Sequence, residues 1–234
     1  SAHDAPGGLA LRMDERAGRL FVQPSARDRF AACGWEIRSE AHFATALALL
    51  KARNFPFTRA TPQECALRHV FDMAWFLDPS GNRHELALGY VTPFEPFASP
   101  AGVSGFVTGD LGLGHAVLPA PNIAETRAFL ADILGLGLSD ILIHRPDAAT
   151  TQRIDFLHCA NGRHHSLALF EGEVPSGCGS ARVVMSASDE PAWVSESAMV
   201  PENRPASIGA TNDSICAGVP NSRSRFALAM VSIT

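Results

Sequence analysis

Hydrophobic positions recur every second residue at the start of the chain: Leu9, Leu11 and Met13 in "GLALRMDERAGRLFVQP". Such alternation predicts a half-buried strand, "DERAG" a turn, and "RLFVQP" the returning strand of a hairpin. The period then changes. Phe43, Leu47 and Leu50 recur at helical spacing after Ser39, a residue suited to capping a helix, and Asn54 suits its C-terminal side, where a left-handed residue is tolerated. A turn or short helix follows near "TPQECAL". "VFDMAWFLDPSGNRHELALGY" then predicts two strands joined by "DPSGN", whose Pro and Gly serve two turn geometries.

Residues 91–110, "VTPFEPFASPAGVSGFVTGD", are rich in Pro, Gly and Ser and predict a linker. Beyond them the order begins again. "LGHAVLPA" is a short apolar strand. In "NIAETRAFLADILGL", Asn122 and Glu125 have capping-box spacing, Ile123, Thr126, Leu130, Ile133 and Leu134 share one face, and Gly135 closes the helix. "LSDILIH", "RIDFLHCA" and "HHSLALF" follow as strands. Two units with one order of elements predict an internal repeat, each a helix packed on a small mixed sheet, an α+β chain.

Composition narrows the partners. The chain has 234 residues, 46% hydrophobic and 18% charged, enough apolar surface for a sizeable core. A net charge of −5 with no basic block argues against nucleic acid and anionic membrane. No apolar run long enough for a membrane helix occurs, and no signal-peptide pattern is recognised. Five scattered cysteines, an odd number, suit reduced thiols in a cytoplasm rather than a disulfide framework. The opening "SAHDAPGGLALRMDE" has no initiator Met and already lies close to a strand, so a fragment is expected.

Candidate chemistry concentrates in "HCANGRHHSLALF", which holds His158, Cys159, His164 and His165 beside a strand. Histidine is the commonest metal ligand and titrates nearest neutral pH. A zinc site built from these four is disfavoured, because paired ligand spacing is missing and residues 164 and 165 should face opposite sides of a strand.

"GDLGLGHAVLPAPN", "ETRAFLADILGLGLSD" and "FLHCANGRHHSLAL", in that order, resemble the type I extradiol ring-cleavage dioxygenases, two-module members of the vicinal oxygen chelate superfamily. "LRMDERAGRLFVQP" and "FLDPSGNRHELALGY" resemble the family's N-terminal, non-catalytic module. The resemblance runs from Leu9 to about Gly177. It implies two tandem modules of paired βαβββ units: an N-terminal module over 1–99, incomplete at its start, and a catalytic module over 105–234. His115 matches the first iron ligand, His165 the active-site acid–base, and Val117 a pocket-lining position; His164 would be structural. A 2-His-1-carboxylate triad leaves positions on Fe(II) for a chelating catechol and O₂. An imidazole with an ordinary pKa near 6.5 suits proton transfer in either direction.

From residue 178 the chain departs from this pattern. No histidine follows His165, so the second iron ligand has no counterpart. The ligand-glutamate strand is echoed only by "SRFALAM", with Ala229 where the carboxylate belongs. In "SIGATNDS", Asn212 and Asp213 match substrate-binding positions, but Ala210 stands where a histidine is expected. Glu85 of the first unit occupies the place equivalent to the ligand glutamate but belongs to the non-catalytic module. Reading-frame slips, a diverged pseudo-enzyme or an unusual genuine segment would each leave this pattern. Irregular chain is expected beyond Phe170, with short strands at most near "ARVVM" and "RFALAM" and an unpaired sheet edge.

The resemblance thus implies Fe(II)-dependent, O₂-consuming extradiol cleavage of a bicyclic or steroid-derived catechol, 2,3-dihydroxybiphenyl-like, in aromatic hydrocarbon degradation. It also implies a homo-oligomer in the intact family. The alternative is a metal-free chelate-fold binding protein, or an inactive, damaged copy of such an enzyme, which keeps the cavity without the chemistry.

Overall fold

The computed structural model describes residues 2–5, 7–26, 29–100, 102, 105–145, 147, 149–172, 182–185 and 226–233, with side chains described only within 7–172. Three antiparallel strands come first: β1 (Ala2–Ala5), β2 (Gly8–Leu11) and β3 (Leu20–Pro24). The β2–β3 pair is the expected hairpin, with Leu11 opposite Leu20. Asp14 fixes its turn. One carboxylate oxygen accepts from the Arg16 N–H (3.0 Å), the other from Arg19 Nε and Nη2 (2.8 and 2.5 Å).

Burial alone would raise the Asp14 carboxyl, but the hydrogen bond and charge of Arg19, helped by the Arg16 N–H and Thr108, hold it below the usual carboxylate range. A carboxyl depressed on folding contributes stability above its unfolded pKa, about 3.9, and loses it as pH falls through the folded value. Asp14→Asn should therefore cost about 1.5–3 kcal/mol at neutral pH. Its denaturation midpoint should converge on that of the parent below about pH 4. A gap that persists in acid would assign the loss to packing.

The remaining elements of the first half are β4 (Arg29–Ile37), α1 (Glu40–Ala52), β5 (Phe57–Arg59), α2 (Pro62–Arg68), β6 (Val70–Leu77) and β7 (Arg83–Tyr90). The second half holds β8 (Gly114–Pro119), α3 (Ile123–Leu134), β9 (Gly137–His144), β10 (Gln152–His158) and β11 (Leu167–Phe170). The repeat is explicit in the pairing. β4 lies parallel to β7, and β6 joins β7 to β5 antiparallel; likewise β8 lies parallel to β11, and β10 joins β11 to β9. Both halves are βαβββ units, with α2 inserted into the first. Sequence periodicity missed β4, because "RFAACGWEI" is too continuously apolar to alternate. That is the signature of a strand buried on both faces, and Ala32 and Cys33, which point to opposite faces, are both buried.

Ser39 caps α1 by accepting from the His42 N–H (3.2 Å), and Asn54 is left-handed as expected (φ 54°). Thr61 and Glu64 form a full capping box on α2. The capping box expected at Asn122 and Glu125 does not form. Asn122 sits at the start of α3 but donates instead to the Pro79 carbonyl (3.2 Å), and its N–H donates to Ser80 Oγ (3.3 Å). Docking against the turn of the first unit has outweighed local capping. Gly135 closes α3 in the left-handed region (φ 68°).

The two units share one core. Leu50 of α1, Leu130 and Ile133 of α3, and Leu118, Leu157 and Leu169 from the second sheet belong to one buried cluster. Phe55 meets Phe129 at 4.1 Å between ring centres, and Arg53 forms an exposed fork with Asp132 (2.6 and 2.8 Å).

Two further strands follow. β12 (Arg182–Met185) runs antiparallel to β8, with Val184 opposite His115. β13 (Phe226–Ile233) is longer than expected and enters the first sheet between β3 and β4. Ala229, expected to echo the ligand-glutamate strand, pairs there with Phe21 and Ala32. A nearly continuous apolar run suits a central slot with neighbours on both edges.

Candidate active site

Strand β8 sorts its side chains by alternation. Ala116 and Leu118 are buried in the shared core, whereas His115 and Val117 emerge half-buried on the opposite face. Register extends that open face across the sheet, because Val117 is level with Ala168 of β11, Ala168 with Phe156 of β10, and Phe156 with Asp140 of β9. Gly112, left-handed (φ 70°), turns the chain into β8 just before the histidine.

His165 completes the pair. Its ring centre lies 4.3 Å from that of His115, and Phe156 meets it edge-on at 4.8 Å. The segment is clamped from below: the Ser166 N–H donates to the Leu157 carbonyl (2.7 Å), and the Ser166 carbonyl accepts from the Ala116 N–H (3.2 Å). His164 does not face the other side of a strand as expected, because both histidines precede β11. Their Nδ1 atoms are 3.0 Å apart and the rings perpendicular. His158, weighed for zinc, shares a hydrogen bond between its Nδ1 and Ser139 Oγ (2.6 Å), and Ser139 also donates to the His164 carbonyl.

Burial holds the His115 imidazole below the ordinary histidine value, with Arg163 adding to the effect. His165 is pushed down to about 4, first by burial, then by the charges of His115, His164 and Arg163. The ordinary value expected for His165 is thus corrected. At neutral pH it stands unprotonated. Arg163 and Phe156 escaped sequence reasoning; the arginine stands in "RHHS", but nothing in the letters says that its Nε reaches the Leu111 carbonyl (3.2 Å).

The donor set fits a metal only in part. A half-buried, unprotonated imidazole on an open sheet face suits His115 as a ligand. Among the described residues, however, no three His, Cys, Asp or Glu side chains gather in a metal-holding group. Glu171 is exposed, and its N–H is bound to the Arg153 carbonyl (2.8 Å). Glu85 is spent elsewhere, in a buried ion pair with Arg68 and Arg83. Asn212 and Asp213, and Glu173, lie outside the described residues.

Two tandem βαβββ units, each pairing its first strand with its fourth, define a protein of the vicinal oxygen chelate fold. No protein-family model matches the chain. It is, however, 39% identical over 176 residues to a biphenyl-2,3-diol 1,2-dioxygenase of Pseudomonas sp. (strain KKS102), covering 74% of this chain and 60% of the relative. An iron-dependent extradiol dioxygenase of Rhodococcus jostii (strain RHA1) is 35% identical over 178 residues, covering 74% and 59%. Among solved structures, a halotolerant catechol dioxygenase superposes with a TM-score of 0.63 at 37% identity, over 73% of this chain and 56% of that one. The chain belongs to the extradiol dioxygenase family, and it spans three-fifths of the length of these curated relatives.

Proposed function

We propose that this chain serves Fe(II)-dependent extradiol cleavage of a bicyclic or steroid-derived catechol, 2,3-dihydroxybiphenyl-like, by O₂ in aromatic hydrocarbon degradation. The observation that carries this reading is the His115–His165 pair on the open face of the second unit. His115 would anchor the iron and Val117 line the pocket beside it, while Asn212 and Asp213 are assigned to substrate by resemblance alone. Fe(II), when bound, couples an electron-rich ring to O₂. The unprotonated His165 is poised to take a proton from a catechol hydroxyl and return it later in the cycle. Phe156, edge-on, fixes the ring's orientation. Cys33, Cys65 and Cys159 are free thiols, which supports a cytoplasmic setting.

A second reading is a metal-free catechol-binding module, because no third donor joins the histidine pair among the described residues. Anaerobic titration should therefore show weak Fe(II) binding that needs excess metal. Under those conditions, O₂ uptake with 2,3-dihydroxybiphenyl supports ring cleavage. Catechol binding without O₂ uptake selects the binding module.

A further inference from the structure

Strand β9 closes one side of the second sheet, and among the described residues it pairs only with β10. Its large aliphatic side chains are open to solvent: Leu138 44%, Ile141 39%, Leu142 48% and Ile143 45% exposed. Leu142 lies on one face with Asp140, and Ile141 and Ile143 on the other, which Leu138 joins because the register with β10 shifts by one residue between Leu138 and Asp140, so neither face of this edge is covered. A long apolar edge strand is a template for pairing, and soluble proteins blunt or cover such edges. Two devices blunt it in part: the one-residue bulge at Ser139 in its pairing with β10, and Asp140, whose carboxylate accepts from the Ile141 N–H (2.7 Å).

We propose that this edge is an interface for a second copy of this chain, β9 against β9, antiparallel about a two-fold axis at Leu142. The sequence of the edge selects both partner and register, because residues directly opposite in an antiparallel pair share a face and touch. An axis at Asp140 sets the two carboxylates against each other. One at Ile141 sets Asp140 against Leu142, and one at Ile143 sets Leu142 against His144. With the axis at Leu142, every opposition is favourable. Leu142 meets Leu142, Ile141 meets Ile143, and each Asp140 faces His144 of the other copy, with the exposed Arg145 beside it. Asp140 then exchanges its local bond for this cross-strand contact and releases the Ile141 N–H. A self-complementary edge of this kind generates a closed dimer. The inference does not depend on the reaction proposed above.

Sedimentation equilibrium of the whole chain at micromolar concentration should return twice the chain mass. Leu142→Lys, which puts two ammonium groups on the axis, should return the chain mass alone. Phe94→Lys, at an exposed aromatic far from this edge in sequence, should leave the dimer intact. A covalent readout tests the register. Opposed residues in an antiparallel pair lie about 4.5–5.5 Å apart between Cα atoms, within reach of a disulfide. Leu142→Cys with oxidised glutathione should therefore give a linked dimer well above the parent's background, whereas Leu138→Cys, beyond the bulge and far from the axis, should not. A parent that sediments as a monomer overturns the proposal. So does cross-linking as efficient at Leu138→Cys, or in a Phe94→Cys control, as at Leu142→Cys.

Discussion

On the function proposed above, in an intact homologue or in this chain with a family C-terminal region restored, His165→Ala should slow ring cleavage by about 10²–10⁴-fold, the range for loss of a positioned acid–base group, while leaving iron binding largely in place. His115→Ala should abolish iron binding itself. The asymmetry follows from placement. His115 sits on a regular strand, its backbone held between β11 and β12, so its imidazole is presented rigidly from the sheet. His165 lies in the non-strand segment that leads into β11, with its ring against Phe156. Fe(II) titration and O₂ uptake with 2,3-dihydroxybiphenyl, both in excess metal, would separate the two effects. Equal iron loss in both variants would make His165 a ligand and remove the acid–base assignment.

Glu85→Ala should destabilise the chain by about 3–5 kcal/mol, because it strands the charge of an almost buried arginine. Glu85 is fully buried and bonds Arg68 Nε and Nη2 (2.9 and 3.2 Å) and Arg83 Nε (3.0 Å). The side chain of Arg68 is 9% exposed and lies over Phe21, whereas that of Arg83, 27% exposed, can turn to water. Removing the carboxylate therefore harms chiefly through Arg68. The double variant Glu85→Ala, Arg68→Met should recover much of the loss, since an apolar side chain of similar length asks for no counter-charge. Urea denaturation of the parent, single and double variants checks this. A double variant no more stable than the single would assign the loss to packing around β7.

How far the letters alone reached depended on whether a feature was local. The hairpin turn, the Ser39 cap, Asn54 and Gly135 were legible because each is settled within a few residues, by one side-chain oxygen or one left-handed backbone. β4 was not, because burial on both faces erases the alternation by which a strand is read. Asn122 failed for the opposite reason. Its local spacing was right, but Pro79 and Ser80, distant in sequence, competed for its hydrogen bonds.

The sequence by itself determined the class of protein and the strand that carries His115, since alternation on β8 fixes which residues are buried and which face outward. It also showed that no histidine stands between His165 and Thr234. Tertiary structure alone decided the rest. It brought His165 to 4.3 Å from His115, across fifty residues of chain, and by burying that pair it lowered the pKa of His165 and left the ring unprotonated at neutral pH. It committed Glu85 to an ion pair and drew β13 into the first sheet. Propensity and period act between neighbours along the chain. Desolvation, charge pairing and strand insertion act between residues that only folding makes neighbours.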